Sequence, residues 1–149
     1  MSSATPSQRR KARHLLVQAM YQWQVGGDSI ATVESQFYAD GKLGRADKTY
    51  FSDLLHAIPA HLDELDLAFG EFLDREKSAL DPVSLALLRI ATYELMHRID
   101  VPYRVVINEA INLAKTFGPT DAHKFINSVV DRVAIKTRQL EISATAAKR

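Results

Sequence analysis

The sequence predicts an all-α protein, a compact bundle of six to seven helices, and three observations support this fold class. Apolar residues recur with the helical period of 3.6, and no stretch alternates as a strand does. Capping residues precede these apolar segments, and Gly or Pro follows them. The 149 residues are enough for one domain with its own core. We expect two helical halves, 9–60 and 61–139, between a disordered leader (1–8) and a disordered tail (140–149).

Three helices are predicted in the N-terminal half. Gly26-Gly27 ends the first helix, and Asp28 or Ser29 can cap the second. A glycine-containing loop follows, Asp47 can cap the third helix, and Pro59 kinks or ends it. The first helix has a regular apolar stripe, which we predict to be its core face. This stripe comprises Ala12, Leu15, Leu16, Ala19, Met20 and Trp23.

The C-terminal half shows the same kinds of residue at the predicted starts and ends of its helices. Helical spacing continues from 62 to 72, and Asp81-Pro82 predicts an N-cap followed by the first helical residue. The helix that begins there is apolar on nearly all sides, which is typical of the centre of a bundle. Pro102 opens the next helix, and Gly118-Pro119-Thr120 predicts its end and a new N-cap. The last helix is predicted from about Asp121 to Gln139.

Charge is distributed unevenly along the chain. Residues 1–27 hold four basic residues and no acid, residues 28–131 hold ten basic and seventeen acidic, and residues 132–149 hold five basic and one acidic. The net charge of +1 is therefore the sum of two basic ends and an acidic middle segment. Such segregation indicates that the ends bind a polyanion, although solvated termini on a neutral domain explain it equally well.

Several function classes find no support in the residues. The chain has no Cys, which excludes disulfides and thiolate metal sites, and its five His residues form no i, i+4 pair. Nucleotide-binding glycine loops and a nucleophile elbow are missing. We therefore expect neither enzymatic activity nor a metal or cofactor. No apolar run of 18 residues and no signal peptide stand out, so we expect a cytoplasmic protein without a membrane span.

The start of the first helix carries cations where the helix dipole disfavours them. These cations are Arg9, Arg10, Lys11 and Arg13. At 100° per residue, Tyr21 lies about 180° from Ala12, and Arg10 and His14 flank it. A basic groove beside an aromatic platform is typical of sites for single-stranded nucleic acid. Alternatively, Tyr21 packs on a later helix or on a protein partner.

A second candidate site surrounds the turn before the last helix. Lys115 and Lys124 flank this turn, and the helix N-terminus offers free N–H donors for a phosphate. Asp121 suits the first turn as a capping residue. Phe125 is either a core residue or a second stacking platform.

Three segments resemble the NusB family of bacterial transcription antitermination factors. They are RRKARHLLVQAMYQWQ, LDPVSLALLRIATYELMHR and DVPYRVVINEAINLAKTFGPTDAHKFINSVVDRVA, and the resemblance covers roughly residues 8–138. It implies an all-helical protein with two helical subdomains and no enzymatic activity. It also implies binding to boxA, a short single-stranded RNA element of ribosomal RNA operon leaders. The partner would be NusE, a small-subunit ribosomal protein, with other Nus factors and RNA polymerase joining indirectly.

The resemblance also assigns roles to residues of this chain. The cationic start of the first helix matches the family's arginine-rich RNA-binding segment, Asp121 and Phe125 match positions beside the RNA, and Tyr21 matches a tyrosine near both RNA and partner. The NusE surface would include Asp81, Ser84 and Leu85. Family members often have the sequence PVER here, whereas this chain has PVSL, which lacks the acid.

Two alternatives accompany this interpretation. NusB-like domains also occur fused to ribosomal RNA cytosine methyltransferases, but this chain lacks the nucleophilic Cys and the cofactor domain that such an enzyme requires. The other alternative is a protein-binding helical adaptor or homodimer, whose basic ends only increase its solubility.

Overall fold

A computed structural model describes residues 4–147 and confirms the all-α fold class. Within that range the chain forms eight α-helices and one short 3-10 helix (Lys77–Ala79), with no strand. None of the helices there is both long enough and apolar enough to cross a membrane. The eight helices are α1 (Pro6–Gly26), α2 (Ile30–Ala39), α3 (Lys48–Ala60), α4 (Leu62–Gly70), α5 (Pro82–His97), α6 (Tyr103–Phe117), α7 (Ala122–Thr137) and α8 (Gln139–Ala147).

The chain divides into two compact units, Met1–His61 (unit 1) and Leu62–Arg149 (unit 2). In unit 1, α1 packs against both α2 and α3. Gly27 ends α1 with a φ of 80°, a left-handed conformation that glycine adopts at little cost. Ser29 and Asp47 each accept a hydrogen bond from a backbone N–H of the helix that they cap.

The buried face of α1 is wider than the predicted stripe. Val17 lies outside that stripe, yet it is 1% exposed, and Arg13 is 3% exposed. The reason is that α1 contacts two helices, so its buried sector extends beyond the sector that one neighbour would cover. Leu15 and Trp23, which the stripe included, are only half-buried.

Both ends that the sequence predicts to be disordered contain helical residues. Helix α1 begins at Pro6, because the side chain of Thr5 accepts a hydrogen bond from the Gln8 N–H and the Gln8 side chain accepts one from the Thr5 N–H. At the other end, α8 covers most of the predicted tail. Residues 1–3 and 148–149 of the two predicted ends lie outside the described residues.

Unit 2 is built around α5, which packs against α4, α6 and α7. Ten of its sixteen residues are buried, in agreement with the prediction of a central helix. Asp66 on α4 accepts hydrogen bonds from Arg89 on α5 and from Lys77, with the Arg89 Nε 3.0 Å from Asp66 Oδ1. This ion-pair cluster joins the two helices inside unit 2.

Arg138, between α7 and α8, stabilises the C-terminal end of α5. Its side chain is 2% exposed and donates to the backbone carbonyls of Glu94, Leu95, Arg98 and Val101 and to the carboxylate of Glu141. The last carbonyls of a helix have no partner within the helix, so this guanidinium supplies donors that α5 lacks. Glu141 also accepts the Tyr103 N–H at 2.9 Å, which holds the start of α6.

The turn between α6 and α7 differs from the prediction in one residue. Gly118 is the C-cap of α6 as expected, and an added Cβ there would lie 2.7 Å from the Ala114 carbonyl oxygen. The N-cap of α7 is Asp121 rather than Thr120. Asp121 has a φ of 63° and makes no side-chain capping bond, because in this left-handed conformation its carboxylate does not accept a bond from the first turn.

Candidate nucleic-acid interface

A basic pocket of about 480 Å³ opens in unit 1 between α1 and the loop that joins α2 to α3. One wall comes from the first turns of α1 and the other from residues 42–45. The lining residues are Ser7, Arg10, Lys11, His14, Leu15, Lys42, Leu43, Gly44 and Arg45.

Backbone and side-chain bonds fix the loop against α1. The Asp47 N–H donates to the Gln8 carbonyl at 3.0 Å, which joins the end of the loop to the first turn of α1. Arg9 Nε donates to Asp47 Oδ2 at 3.3 Å, and Asp47 Oδ1 accepts the Tyr50 N–H at 3.1 Å. A single carboxylate therefore caps α3 and holds α1 beside the loop.

The loop itself is folded rather than extended. The Lys42 N–H donates to the Phe37 carbonyl at 3.2 Å, and the Ala46 N–H donates to the Leu43 carbonyl at 2.7 Å. Leu43 is 3% exposed and anchors the middle of the loop in the core. These bonds set the second wall of the pocket before any ligand is bound.

The pocket wall contains four Lys and Arg residues and one His, and none of its lining residues is acidic. Arg10, Lys11, Lys42 and Arg45 are all exposed. Cations that converge on a concavity attract phosphate more strongly than scattered cations do. The sequence indicated Arg10, Lys11 and His14 but missed Lys42 and Arg45. The available signal was the segment GKLGR, in which two cations alternate with glycine in a loop.

Two of the predicted RNA-binding arginines also contact groups within unit 1. The guanidinium of Arg9 lies 4.0 Å from the centroid of the Tyr50 ring, in addition to its ion pair with Asp47. Arg13 lies 5.5 Å from the same centroid and is 3% exposed. Little of the Arg13 side chain is therefore accessible in the free protein, and its contact with RNA stays a prediction.

Tyr21 is 43% exposed, and Val25, one turn further along α1, is 57% exposed. Both lie on the solvent-facing side of the helix that carries Arg10 and His14. The predicted placement of Tyr21 opposite the core stripe therefore agrees with its exposure. The same exposure suits either a nucleobase or a protein partner.

The predicted site of unit 2 is a surface of mixed charge around the α6–α7 turn. Lys115, Asp121 and Lys124 are exposed, and Lys124 Nζ lies 3.7 Å from Asp121 Oδ1. Phe125 is half-buried, and the guanidinium of Arg75 lies 4.4 Å from its ring centroid. The sequence missed Arg75, because nothing in the local pattern indicates that residues 50 positions apart in the chain meet.

Arg75 is also held by its neighbour Asp74. Arg75 Nε donates to Asp74 Oδ1 at 2.8 Å, and a second, longer bond joins Nη2 to Oδ2. The hydrogen bond from Arg75 holds the pKa of the Asp74 carboxyl below its ordinary value and raises the pKa of Arg75. A carboxylate at its edge and a ring against its face thus orient this guanidinium.

The predicted partner residues lie at the start of α5. Asp81 caps the helix by accepting the Ser84 N–H at 2.9 Å. Ser84 is 2% exposed, whereas Asp81 and Leu85 are half-exposed. Ser84 is therefore an interior residue of the free protein, and its contact with a partner stays a prediction. Asp81 and Leu85 keep accessible surface.

Comparison with known proteins gives consistent matches over nearly the whole chain. The model of the NusB family matches residues 10–135. The transcription antitermination protein NusB of Hahella chejuensis is 47% identical over 147 residues, covering 99% of each chain. That of Teredinibacter turnerae is 48% identical over 141 residues, covering 94% of this chain and 96% of its own. The solved structure of T. maritima NusB is similar with a TM-score of 0.70 at 30% identity, covering 89% of this chain and 92% of that one.

Proposed function

The chain belongs to the NusB family of transcription antitermination proteins, and we propose that it acts by binding single-stranded boxA RNA together with NusE. In this proposal the protein is a non-catalytic RNA-binding factor. It joins RNA to the other Nus factors on RNA polymerase in the bacterial cytoplasm.

The observation that carries the RNA-binding part is the acid-free basic pocket of unit 1. Phosphate contacts supply most of the non-specific affinity of proteins for nucleic acids. Arg10 and Lys11 line the pocket from α1. Contacts with RNA phosphates would therefore compensate for their unfavourable interaction with the helix dipole.

Exposed aromatic and guanidinium groups fit single strands better than duplexes. Unpaired bases have free faces, and proteins stack aromatic rings and Arg planes on them. Tyr21 in unit 1 and the Arg75–Phe125 pair in unit 2 are groups of this kind. We infer that they contact bases, while the pocket cations contact phosphates.

For NusE binding, the support is the accessible start of α5 and the charge of the chain. Asp81 and Leu85 are half-exposed there. Residues 28–131 carry seventeen acidic against ten basic residues, which would complement a basic ribosomal protein. The interior position of Ser84 leaves Asp81 as the polar group of this surface.

The direct test is binding of fluorescent boxA RNA, measured by anisotropy with and without NusE, against a scrambled RNA of equal length. We expect tighter binding to boxA than to the scrambled RNA, and a further increase when NusE is added. Equal weak binding to both RNAs, unchanged by NusE, would support a helical adaptor or homodimer instead.

The role of Tyr21 is decided by one variant in the same assay. If a base stacks on the ring, Tyr21→Ala should cost about 1–3 kcal/mol of RNA affinity with NusE binding unchanged. Loss of NusE binding with RNA affinity intact would assign Tyr21 to the protein interface.

A further inference from the structure

Half of the basic pocket of unit 1 comes from a segment that the arginine-rich start of α1 does not explain. Residues 42–45 of the α2–α3 loop contribute Lys42 and Arg45, both exposed, and Leu43, which is 3% exposed. Two cations of this loop and two cations of α1 therefore line one concavity.

We propose that this pocket seats a single nucleotide of the bound RNA, with Lys42 and Arg45 contacting phosphate and the base lying on Leu15. The proposal rests on the RNA-binding function proposed above. It adds a binding site, two phosphate-contact residues and an apolar base platform that the first helix alone does not provide.

The size and the composition of the pocket support one nucleotide. Its volume, about 480 Å³, lies in the range of sites that enclose small molecules. Lys and Arg side chains have apolar stems below their charged ends, and two leucines complete the apolar lining. A nucleotide has the same division, because its base is largely apolar on both faces and its phosphate is anionic.

The pocket is also formed in advance. The bonds from Asp47 to Gln8 and from Arg9 to Asp47 fix the loop against α1. Lys42 Nζ lies 5.0 Å from the centroid of the Phe37 ring, which restrains its long side chain. Binding to a prearranged site loses less conformational entropy than binding to a mobile loop, so the pocket favours capture of a flexible strand.

The phosphate contacts are tested by anisotropy titrations of boxA RNA with Lys42→Gln and Arg45→Gln, made separately. Lys48→Gln is the matched control, because Lys48 is exposed, belongs to unit 1 and does not line the pocket. A lost phosphate contact changes the salt slope by about 0.7, which corresponds to about a fourfold loss of affinity at 0.15 M salt. We expect that loss for each pocket variant and a clearly smaller loss for the control.

The base platform is tested with a series of boxA RNAs, each carrying one abasic nucleotide. In the wild type, we expect one position at which loss of the base lowers affinity at least fivefold. In Leu15→Ala, the same abasic RNA should bind no more weakly than intact RNA, because the platform is already lost. Leu15 is half-buried, so circular dichroism of the variant confirms that α1 remains folded.

The outcomes separate this proposal from the proposed function. Absence of RNA binding by the wild type, even with NusE, would overturn both. RNA binding by Lys42→Gln and Arg45→Gln equal to that of Lys48→Gln would overturn only the pocket proposal. A third outcome is weaker binding by these variants with no abasic position whose effect depends on Leu15. It would support the phosphate contacts of Lys42 and Arg45 but contradict the binding of a base in the pocket.

Discussion

Unit 1 and unit 2 use their cations in different ways. In unit 1, four Lys and Arg residues converge on a pocket whose lining contains no carboxylate. In unit 2, five cations are paired with carboxylates of the same unit: Arg89 and Lys77 with Asp66, Lys136 with Glu71, Lys124 with Asp121, and Arg75 with Asp74. The guanidinium of Arg138 donates hydrogen bonds to four backbone carbonyls of the same unit.

This difference predicts a division of labour in RNA binding. A cation beside a carboxylate produces little field at a distance, whereas a cluster of one sign attracts a polyanion from solution. We therefore expect unit 1 to supply the salt-dependent part of the affinity. Unit 2 is expected to supply a rigid frame and oriented stacking groups.

The largest expected effect comes from the most internal cation of unit 2. Arg138→Met keeps much of the apolar volume but removes the side-chain donor from four backbone carbonyls, so the free energy of unfolding should fall by about 4 kcal/mol. Urea denaturation measures this loss. The control is Arg132→Met on α7, the helix that ends just before Arg138, since Arg132 is exposed. Equal losses in the two variants would contradict a structural role for Arg138.

A smaller loss is expected from the buried cluster of α4 and α5. Asp66→Asn removes the carboxylate that pairs with Arg89, which is 7% exposed, and should lower the free energy of unfolding by about 2–3 kcal/mol at pH 7. The exposed Asp63 on the same helix provides the control, Asp63→Asn. An Asp66→Asn variant as stable as this control would show that the cluster contributes nothing.

The difference in unfolding free energy between the wild type and Asp66→Asn should depend on pH. Burial alone would raise the pKa of the Asp66 carboxyl, but hydrogen bonds from Arg89 and Lys77 outweigh it and hold that pKa below its ordinary value. The stabilisation is therefore complete above the unfolded pKa of about 3.9 and is lost as the pH falls through the lower native pKa. The stability difference between wild type and Asp66→Asn should shrink below about pH 4. A constant difference down to pH 2 would contradict this linkage.

The smallest expected effect concerns stacking in unit 2. Arg75→Ala removes the guanidinium that covers Phe125 and should weaken RNA binding by about 1–2 kcal/mol with little change of salt slope. Arg104→Ala is the matched control, because Arg104 is exposed and lies 5.7 Å from the Tyr103 ring centroid. If anisotropy titrations give the same affinity for both variants, Arg75 does not contact the RNA.

Local chemistry made most of the helix boundaries predictable. Ser29, Asp47 and Asp81 cap helices where the sequence indicated them, because a side-chain oxygen next to free N–H groups is a local signal. Helix α8 was missed because its short sequence carries no strong apolar stripe, and Arg138 and Glu141 hold it through contacts with distant segments.

The candidate site was predictable only in part, for a similar reason. Arg10 and Lys11 follow from the charge pattern of one helix. The interior positions of Arg13 and Ser84 depend on how many helices pack against α1 and α5, which a single helical wheel does not contain. Lys42 and Arg45 become part of a site only because Asp47 joins their loop to α1.

The most direct test of the account is the salt dependence of boxA RNA binding by two charge-matched double variants. One variant, Arg10→Gln with Arg45→Gln, removes two cations of the unit 1 pocket, and the other, Arg75→Gln with Lys124→Gln, removes two paired cations of unit 2. We expect the slope of log K against log salt to become shallower by about 1.4 for the pocket variant and by less than about 0.7 for the other. An equal or larger change for the unit 2 variant would contradict the claim that the pocket of unit 1 carries the electrostatic part of RNA binding.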